Sequence, residues 1–481
     1  MDKMNKDKFK IRVIVLLLFF IGLLIRISVV AVSVRDDRYN PYNRLKGDMG
    51  SFVASAVSLA QGDGYSDDYI PIIEDFFKDP DHVKPAYPIK PTARKAMGYP
   101  LFLAFIFRII GYHLVPVLYI QAILSAFSTL LIYAIGRQVG SWKTAMIAYI
   151  LGVFYYPFWY NSIILLSEML LLFLMLLFFY ALIRWFAKPS VIMGFCTGLS
   201  AGAAFLVRPI ILPIIPLYLL WAFSRFHRQG KMKMFITGSF ALILGLIFIL
   251  APLAIRNYRL TGRLLLTPTV GGYHLLLTYN PYNVNFMSYN SDPGFITENY
   301  PGFRDSLLPN LKINIPASTP PLLAEYLQDQ SYGRSAFQFI SKNPIQFFKT
   351  LPRTFWNIWR IDYPADRLRG KVDNVVLFGS RIPFLLCKIN KIIFYGAMIP
   401  FFLLGIYIAV SKKNMPALLI TTFFSYFVIC HTIFASMIRY RIPVMPLFFI
   451  LSALGLRELW HRYGLFYAKG KGIVMIAERR D

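Results

Sequence analysis

Four arginines break the charge pattern of an otherwise apolar chain. Most basic residues lie in short loops, but these four lie at one end of the predicted helices: Arg208, Arg256, Arg439 and Arg441. An arginine binds a phosphate group by paired hydrogen bonds, so arginines gathered at one membrane level predict a shared phosphate site. The alternative is that each side chain reaches the lipid headgroups separately.

Two carboxylates stand out by their positions. Glu168 is the one acidic residue between positions 98 and 291. A carboxylate at membrane depth is costly, so it is either functional or a helix-end acid that touches water. Asp48 begins a segment with helical apolar spacing, residues 48–61, which Gly62 ends. Asp is a favoured helix cap, so Asp48 is either a cap or a functional group.

The composition is that of a membrane protein. Hydrophobic residues make up 57% of the 481 positions, and charged residues only 16%. The net charge of +27 comes from Lys and Arg clustered at the N-terminus, in short loops and in the tail. This distribution follows the positive-inside rule, so the charge does not indicate nucleic-acid binding. The partner that it predicts is the lipid bilayer.

The apolar blocks predict an all-α polytopic fold with about ten membrane-spanning helices, in a range of nine to twelve. The predicted spans are residues 11–34, 114–135, 144–160, 164–185, 191–207, 210–223, 235–255, 392–410, 417–435 and 442–456. Residues 98–110 are apolar but too short to cross a bilayer, so we expect a helix lying in the interface. The first block is interpreted as an uncleaved helix rather than a signal peptide.

Basic loops fix the predicted orientation, with both termini in the cytoplasm of a bacterial cell and the protein in its plasma (inner) membrane. Residues 1–255 form an N-terminal membrane module that includes an outer loop, 35–98. A second outer region, 256–387, precedes the C-terminal membrane helices, 388–456, and a basic tail, 457–481. Residues 331–359 predict an amphipathic helix pair broken at Pro344.

Common catalytic motifs are missing from the sequence. It has no Walker loop, no His-Glu-x-x-His and no Cys-x-x-Cys, and its three cysteines have no paired spacing. His82 is the one histidine near several acids, so it is the alternative position for a metal site. We therefore predict no metal site and no obligatory cofactor, although a divalent metal is not excluded.

Five segments, taken in order, resemble the polyprenyl-phosphate-dependent glycosyltransferases of the GT-C fold. These include protein O-mannosyltransferases and the aminoarabinose transferase of lipid A. The segments are residues 47–48 with 60–65, 91–94 with 98–104, 166–168, 251–258 with 271–273, and 439–443. Met97 and Leu253 depart from the family pattern, which has Pro and Trp there. Asp48 also lacks the acidic neighbour found in some relatives.

The resemblance implies a GT-C-like helix bundle and an inverting glycosyltransferase. It implies that Asp48 is the general base, which takes a proton from the acceptor hydroxyl. It also implies donor phosphate binding by cationic side chains: Arg256, Arg439, Arg441, Arg94, Lys95 and Arg208. The remaining matched residues are predicted to bind sugar or acceptor: Glu168, Tyr99, Asn257 and Tyr258.

The substrates implied by this resemblance are a sugar linked to polyprenyl phosphate and a glycan, lipid or protein acceptor. The acceptor group would be a hydroxyl or a phosphate on the outer face of the membrane. A lipid flippase or transporter is an alternative function, but the ionisable residues gather at one face rather than at the membrane midplane. A non-catalytic protein of envelope assembly is the second alternative.

Overall fold

The described part of the chain folds mostly into α-helices, which confirms the predicted all-α class. The computed structural model describes residues 2–37, 40–86, 88–283, 302–360, 375–377, 380–382, 384–434 and 438–470. Its α-helices are α1 (Asp2–Ser33), α2 (Gly47–Gln61), α3 (Ile73–Phe76), α4 (Gly98–Ile110), α5 (Leu114–Val139), α6 (Trp142–Phe154), α7 (Tyr156–Tyr160), α8 (Glu168–Ala187), α9 (Val191–Val207), α10 (Ile215–Arg228), α11 (Met232–Thr261), α12 (Gly271–Thr278), α13 (Leu308–Asn310), α14 (Pro321–Lys342), α15 (Pro344–Trp359), α16 (Phe384–Phe394), α17 (Ile399–Ser411), α18 (Met415–Ile433) and α19 (Met445–Gly470).

Shorter elements connect these helices. The 3-10 helices are Pro41–Arg44, Ile70–Ile72, Asn161–Ile163, Leu212–Ile214, Pro281–Asn283, Gly396–Met398 and Ile438–Val444, and Gly302–Leu307 is a π-helix. Two short antiparallel strands, β1 (Val375–Leu377) and β2 (Ser380–Ile382), form a hairpin. They lie within the predicted second outer region, for which the sequence predicts no strand.

Seven described helical segments are long and apolar enough to cross a membrane. They are Asp7–Ser33, Leu114–Val139, Glu168–Ala187, Met232–Thr261, Ile389–Ser411, Met415–Ile433 and Ile438–Tyr463. The chain is therefore a multi-pass membrane protein. Three shorter apolar helices are Gly98–Ile110, Trp142–Phe154 and Val191–Val207. The predicted count of about ten spans is not confirmed by helix length and composition alone.

Proline accounts for two differences from the predicted helices. The predicted span 144–160 is broken into α6 and α7, with Pro157 in the first turn of α7. The predicted span 210–223 begins as a 3-10 turn and continues as α10, again with Pro in its first turn. Proline lacks an N–H donor, so it fits the start of a helix and interrupts a longer one.

Several other helix boundaries agree with the sequence predictions. The predicted interfacial helix 98–110 has the same bounds as α4. The predicted amphipathic pair breaks at Pro344, where α15 begins, although α14 starts ten residues before the predicted position, at Pro321. The segment 48–61 is helical as α2, and the left-handed Gly62, with φ of 90°, ends it.

A fully buried arginine joins helices α1, α5 and α6 of the bundle. Arg26 of α1 donates to Ser125 Oγ of α5 at 2.9 Å. It also donates to the carbonyl oxygens of Gly152, at 3.3 Å, and Val153, at 3.4 Å, in the last turn of α6. Carbonyls at a helix C-terminus carry partial negative charge, so the break after α6 supplies acceptors for a cation inside the bundle.

Candidate active site

Asp48 lies in the first turn of α2, where two cations hold its carboxylate. Its Oδ1 accepts a hydrogen bond from Lys95 Nζ at 2.7 Å, and its Oδ2 accepts one from Arg439 Nη2. Lys46, rather than Asp48, occupies the cap position, so the alternative interpretation of Asp48 as the helix cap is wrong. The carboxylate is 39% exposed and accessible to a ligand.

The two cations control the ionisation of Asp48. Burial by itself would raise the pKa of this carboxyl group, but the charges of Arg439 and Lys95 and their hydrogen bonds outweigh it. The pKa of Asp48 therefore lies well below its usual range, and the group is an ionised proton acceptor.

Glu168 extends this charge cluster toward the core. It opens α8 and its side chain is only 2% exposed, with Oε1 at 3.4 Å from Arg208 Nη2 and 3.7 Å from Arg439 Nε. Opposite charges thus alternate along a chain of five groups: Lys95, Asp48, Arg439, Glu168 and Arg208. Three cations face two carboxylates, so one positive charge of this cluster remains unbalanced. That excess favours an anionic ligand.

Tyr440 supports two of these arginines through its ring. The Arg208 guanidinium lies 4.5 Å from the centre of the Tyr440 ring, and that of Arg439 lies 5.6 Å from it. His431 of α18 packs edge-on against the same ring, at 5.8 Å between ring centres. Cation–π contacts restrict both guanidinium groups without using their hydrogen-bond donors. The sequence analysis did not identify Tyr440 as a site residue, although it lies between two predicted ones.

Arg256 braces the loop that carries Lys95. It donates to the carbonyl oxygens of Tyr65, at 3.0 Å, and Thr92, at 3.2 Å, and to Asn257 Oδ1 at 2.8 Å. Asn257 in turn donates to Leu265 O at 2.7 Å. Arg256 and Asn257 lie in the last three turns of α11, so the end of this helix positions residues 92–95.

A small open cavity of about 20 Å³, roughly the room of one water molecule, lies beside this brace. Its lining includes Lys95 and Arg256, together with Tyr65, Met97, Leu253 and Asn257. Since Lys95 also contacts Asp48, the cavity adjoins the charge cluster. The two cationic side chains of the lining favour an anionic group beside this cavity.

Besides Arg256 and Asn257, four predicted site residues lie outside the charge cluster. Arg441 is buried and donates to the carbonyl oxygens of Ile358 and Arg360 at the end of α15, at 3.1 and 2.7 Å. Arg94 is largely exposed, with Nη1 3.7 Å from Asp67 Oδ2. The other two are Tyr99, buried with its hydroxyl donating to Gln121 at 2.7 Å, and Tyr258, which is exposed.

Two residues of the second outer region lie close to the site, and the sequence analysis did not identify either of them. Glu325 of α14 accepts hydrogen bonds from Thr92 Oγ1 at 2.7 Å, from Ala93 N at 3.2 Å and from Thr269. His274 of α12 lies within electrostatic reach of Asp48, Lys95 and Arg439. No local sequence signal identifies them, because their partners lie far away along the chain.

Burial shifts the ionisation of both of these groups. It raises the pKa of Glu325 and lowers the pKa of His274. For His274 the facing carboxylates of Asp48 and Asp329 oppose the shift, and the charges of Lys95 and Arg439 support it. The imidazole is therefore neutral near pH 7 and adds no cation beside Asp48.

No three acidic, His or Cys residues within the described ranges lie close enough together to hold a metal ion. His82 contacts Asp79 at 2.8 Å in an exposed part of the first loop. This exposed pair is far less than the donor set of a stable metal site.

Residues 94–255 match the family model described as dolichyl-phosphate-mannose-protein mannosyltransferase. The match covers roughly a third of the chain and includes Lys95, Glu168 and Arg208 of the charge cluster. It confirms, over this part of the chain, the resemblance to GT-C glycosyltransferases that the sequence analysis predicts. No curated protein matches the sequence.

Two solved structures are similar to this chain along most of its length. One is the oligosaccharyltransferase AglB from Archaeoglobus fulgidus, in complex with an inhibitory peptide and a dolichol-phosphate, with 13% identity and a TM-score of 0.45 over 95% of this chain and 52% of that one. The other is ArnT from Cupriavidus metallidurans bound to undecaprenyl phosphate, with 12% identity and a TM-score of 0.35 over 95% and 79%. This chain spans about half the length of the oligosaccharyltransferase.

Proposed function

We propose that this protein is an inverting glycosyltransferase that moves a monosaccharide from a polyprenyl-phosphate carrier to an acceptor hydroxyl or phosphate. The observation that carries the proposal is the arrangement of Asp48, whose carboxylate oxygens each contact a different cation, Lys95 and Arg439. A carboxylate and two cationic groups thus lie within one hydrogen bond of each other, which supports a base beside a phosphate site. The match of residues 94–255 to a dolichyl-phosphate-mannose transferase family supports the same donor class.

In the proposed reaction, Asp48 accepts the proton of the acceptor hydroxyl while the hydroxyl oxygen bonds to the anomeric carbon. The bond between that carbon and the phosphate oxygen breaks, and its electron pair leaves with the phosphate. The sugar carries positive charge in the transition state, as in other glycosyl transfers. Attack from the face opposite the phosphate inverts the anomeric configuration.

The phosphate leaving group needs positive charge rather than a proton. Lys95 and Arg439 supply that charge in fixed positions. Arg208 shares Glu168 with Arg439, and Arg256 lines the same cavity as Lys95. A preorganised cation costs little reorganisation during the reaction. The proposal therefore includes no obligatory metal or cofactor. Activity that survives dialysis against EDTA is its expected consequence.

The proposed location is the outer face of a bacterial plasma (inner) membrane, with both termini in the cytoplasm. Basic loops at the opposite end of the predicted helices support this orientation. A lipid-linked donor suits that face, because nucleotide sugars remain in the cytoplasm. The acceptor would be a glycan, lipid or protein that is exposed there.

The proposal is tested with purified protein in liposomes that contain polyprenyl-phosphate donors carrying radiolabelled sugars. We expect label to enter a membrane or envelope acceptor fraction, and NMR of the product to show the anomeric configuration opposite to that of the donor. Labelled lipid that crosses the bilayer with no sugar transfer would instead establish a flippase. A product with retained configuration would contradict the single-step inverting mechanism.

A further inference from the structure

Arg439 contacts two carboxylates that differ greatly in their exposure. Its Nη2 donates to Asp48, whose side chain is 39% exposed, and its Nε lies 3.7 Å from Glu168, which is only 2% exposed. The two contacts use different nitrogens of one guanidinium group. One of them can therefore break while the other persists.

The difference in exposure determines which carboxylate can lose its contact with Arg439. Asp48 lies at the edge of the site on the short helix α2, so water can solvate it when a partner leaves. Glu168 lies in the core at the start of α8, where an unpaired charge would be strongly destabilising. Arg208 contacts the same carboxylate oxygen, Glu168 Oε1, at 3.4 Å.

The same cluster has unused hydrogen-bonding atoms. Glu168 Oε2, Arg208 Nη1 and Arg439 Nε are buried and have no hydrogen-bond partner within the described part of the chain. Such atoms are uncommon in folded proteins, and each one indicates a capacity for further bonds. A small rotation of the Arg439 guanidinium would bring its Nε into hydrogen-bond range of Glu168.

We propose that the donor phosphate displaces Asp48 from Lys95 and Arg439, and that Glu168 is the positioning residue that retains Arg439 in the site. The proposal rests on the proposed function, because it assigns roles within the same reaction. Until the donor binds, the two cations neutralise Asp48 and weaken it as a proton acceptor. Donor binding therefore releases the base, and the site becomes reactive only when the sugar is present.

Substitutions of the two carboxylates should then change the affinity for the donor lipid in opposite directions. Asp48→Asn removes a competitor of the phosphate, so we expect binding about threefold to tenfold tighter than that of the wild type. Glu168→Gln removes the anchor of Arg439, so we expect binding weaker by about tenfold. Asp75→Asn is the matched control, because Asp75 accepts a hydrogen bond from Lys78 at 2.7 Å elsewhere in the same loop, and it should change binding less than about twofold.

The measurement is native mass spectrometry of each full-length variant titrated with polyprenyl monophosphate in detergent, with thermal melting as the check of folding. In transfer assays Glu168→Gln should raise KM for the donor, whereas Asp48→Asn should lower kcat. Equal or weaker lipid binding by Asp48→Asn would overturn the proposal that the phosphate displaces Asp48. Tighter lipid binding by folded Glu168→Gln would overturn the proposal that Glu168 retains Arg439. Both results leave the proposed function intact, whereas absence of binding by the wild type would contradict the proposed function and this inference together.

Discussion

At the scale of single residues, the ionisation of Asp48 depends on its two cationic neighbours. Burial favours the neutral acid, yet the facing charges of Arg439 and Lys95 hold the pKa below its usual range. Because the folded-state pKa is depressed, the stabilisation by the ionised form is complete above the ordinary value of about 4 and is lost only as the pH falls through the lower folded value. Asp48 therefore stays a base across the physiological range.

We expect kcat/KM of the wild type to show no loss from protonation of Asp48 between about pH 5 and 8. Lys95→Met removes one of the two cations, so the pKa of Asp48 should rise and the acid limb should move to higher pH. The measurement is the pH profile of kcat/KM for both proteins. An unchanged acid limb in the variant would show that Asp48 is not the titrating base.

Some of these residues were predictable from their types, and others depended on the fold. Arginines at one membrane level and a lone acid predicted Arg439, Arg208 and Glu168 as site residues, and the structure brings them together. Arg441 has the same sequence signal, but residues two apart in a 3-10 helix point in different directions. Arg439 therefore contacts Asp48, and Arg441 binds the end of α15.

At the scale of elements, the crossing of α4 over the end of α9 places two cations. Gly98 opens α4, three residues after Lys95, and packs on Leu206, two residues before Arg208. A Cβ at position 98 would lie 2.5 Å from the carbonyl carbon of Leu206. The two helices can therefore approach this closely only with glycine at the contact.

We expect Gly98→Ala to destabilise the protein by about 1–3 kcal/mol, since the added methyl group meets backbone. It should also lower donor affinity by moving Lys95 and Arg208 apart. Gly271→Ala is the control, because a Cβ there meets no atom within 4 Å. Thermal melting in detergent is the measurement, and equal melting temperatures for both variants would contradict the packing argument.

Glu325 joins α14 to the segment that carries Lys95. Glu325→Ala leaves the buried Ala93 N–H and the Thr92 hydroxyl without this acceptor, at a cost of about 1–3 kcal/mol to the docking of α14. Glu325→Gln keeps an acceptor and loses a charge that burial disfavours, so it should be much milder. Hydrogen exchange of residues 321–342 measures the effect, and equal protection in the alanine variant and the wild type would exclude the contact as a support.

Helix boundaries were predicted best where composition changes sharply. The bounds of α4 and the break at Pro344 follow from apolar length and from proline. The break between α6 and α7 was missed although Pro157 signals it, because the apolar stretch continues through the break. The docking of α12 and α14 near the site could not be predicted, since it depends on contacts such as Thr269 with Glu325 between distant segments.

At the scale of the whole molecule, hydropathy predicted the membrane class, and the predicted number of about ten spans stays a prediction. The three apolar helices of 13 to 17 residues have lengths that fit either a short span or a core helix. The sequence analysis assigned no role to Arg26 in the first span, because the carbonyl groups that accept its hydrogen bonds become available only at the break after α6. Tertiary contacts determine both the placement of these short helices and the partners of Arg26.

The proposed orientation predicts which loops a membrane-impermeant maleimide can label in intact cells. In a background without the three native cysteines, a cysteine at the exposed position Asp81 should react, and one at the exposed position Lys188 should react only after lysis. Both positions lie outside the described spans. The reverse pattern would place the charge cluster on the cytoplasmic face and contradict an outward-facing site.

The measurement that tests the central claim most directly is the rate of sugar transfer by Asp48→Asn beside Asp75→Asn, at matched expression in the same donor-loaded liposomes. Both changes remove a carboxylate that binds a lysine at 2.7 Å, but only Asp48 also contacts Arg439. We predict a loss of about 100-fold to 10,000-fold for Asp48→Asn and wild-type transfer for Asp75→Asn. Equal transfer by both variants would contradict the assignment of Asp48 as the base.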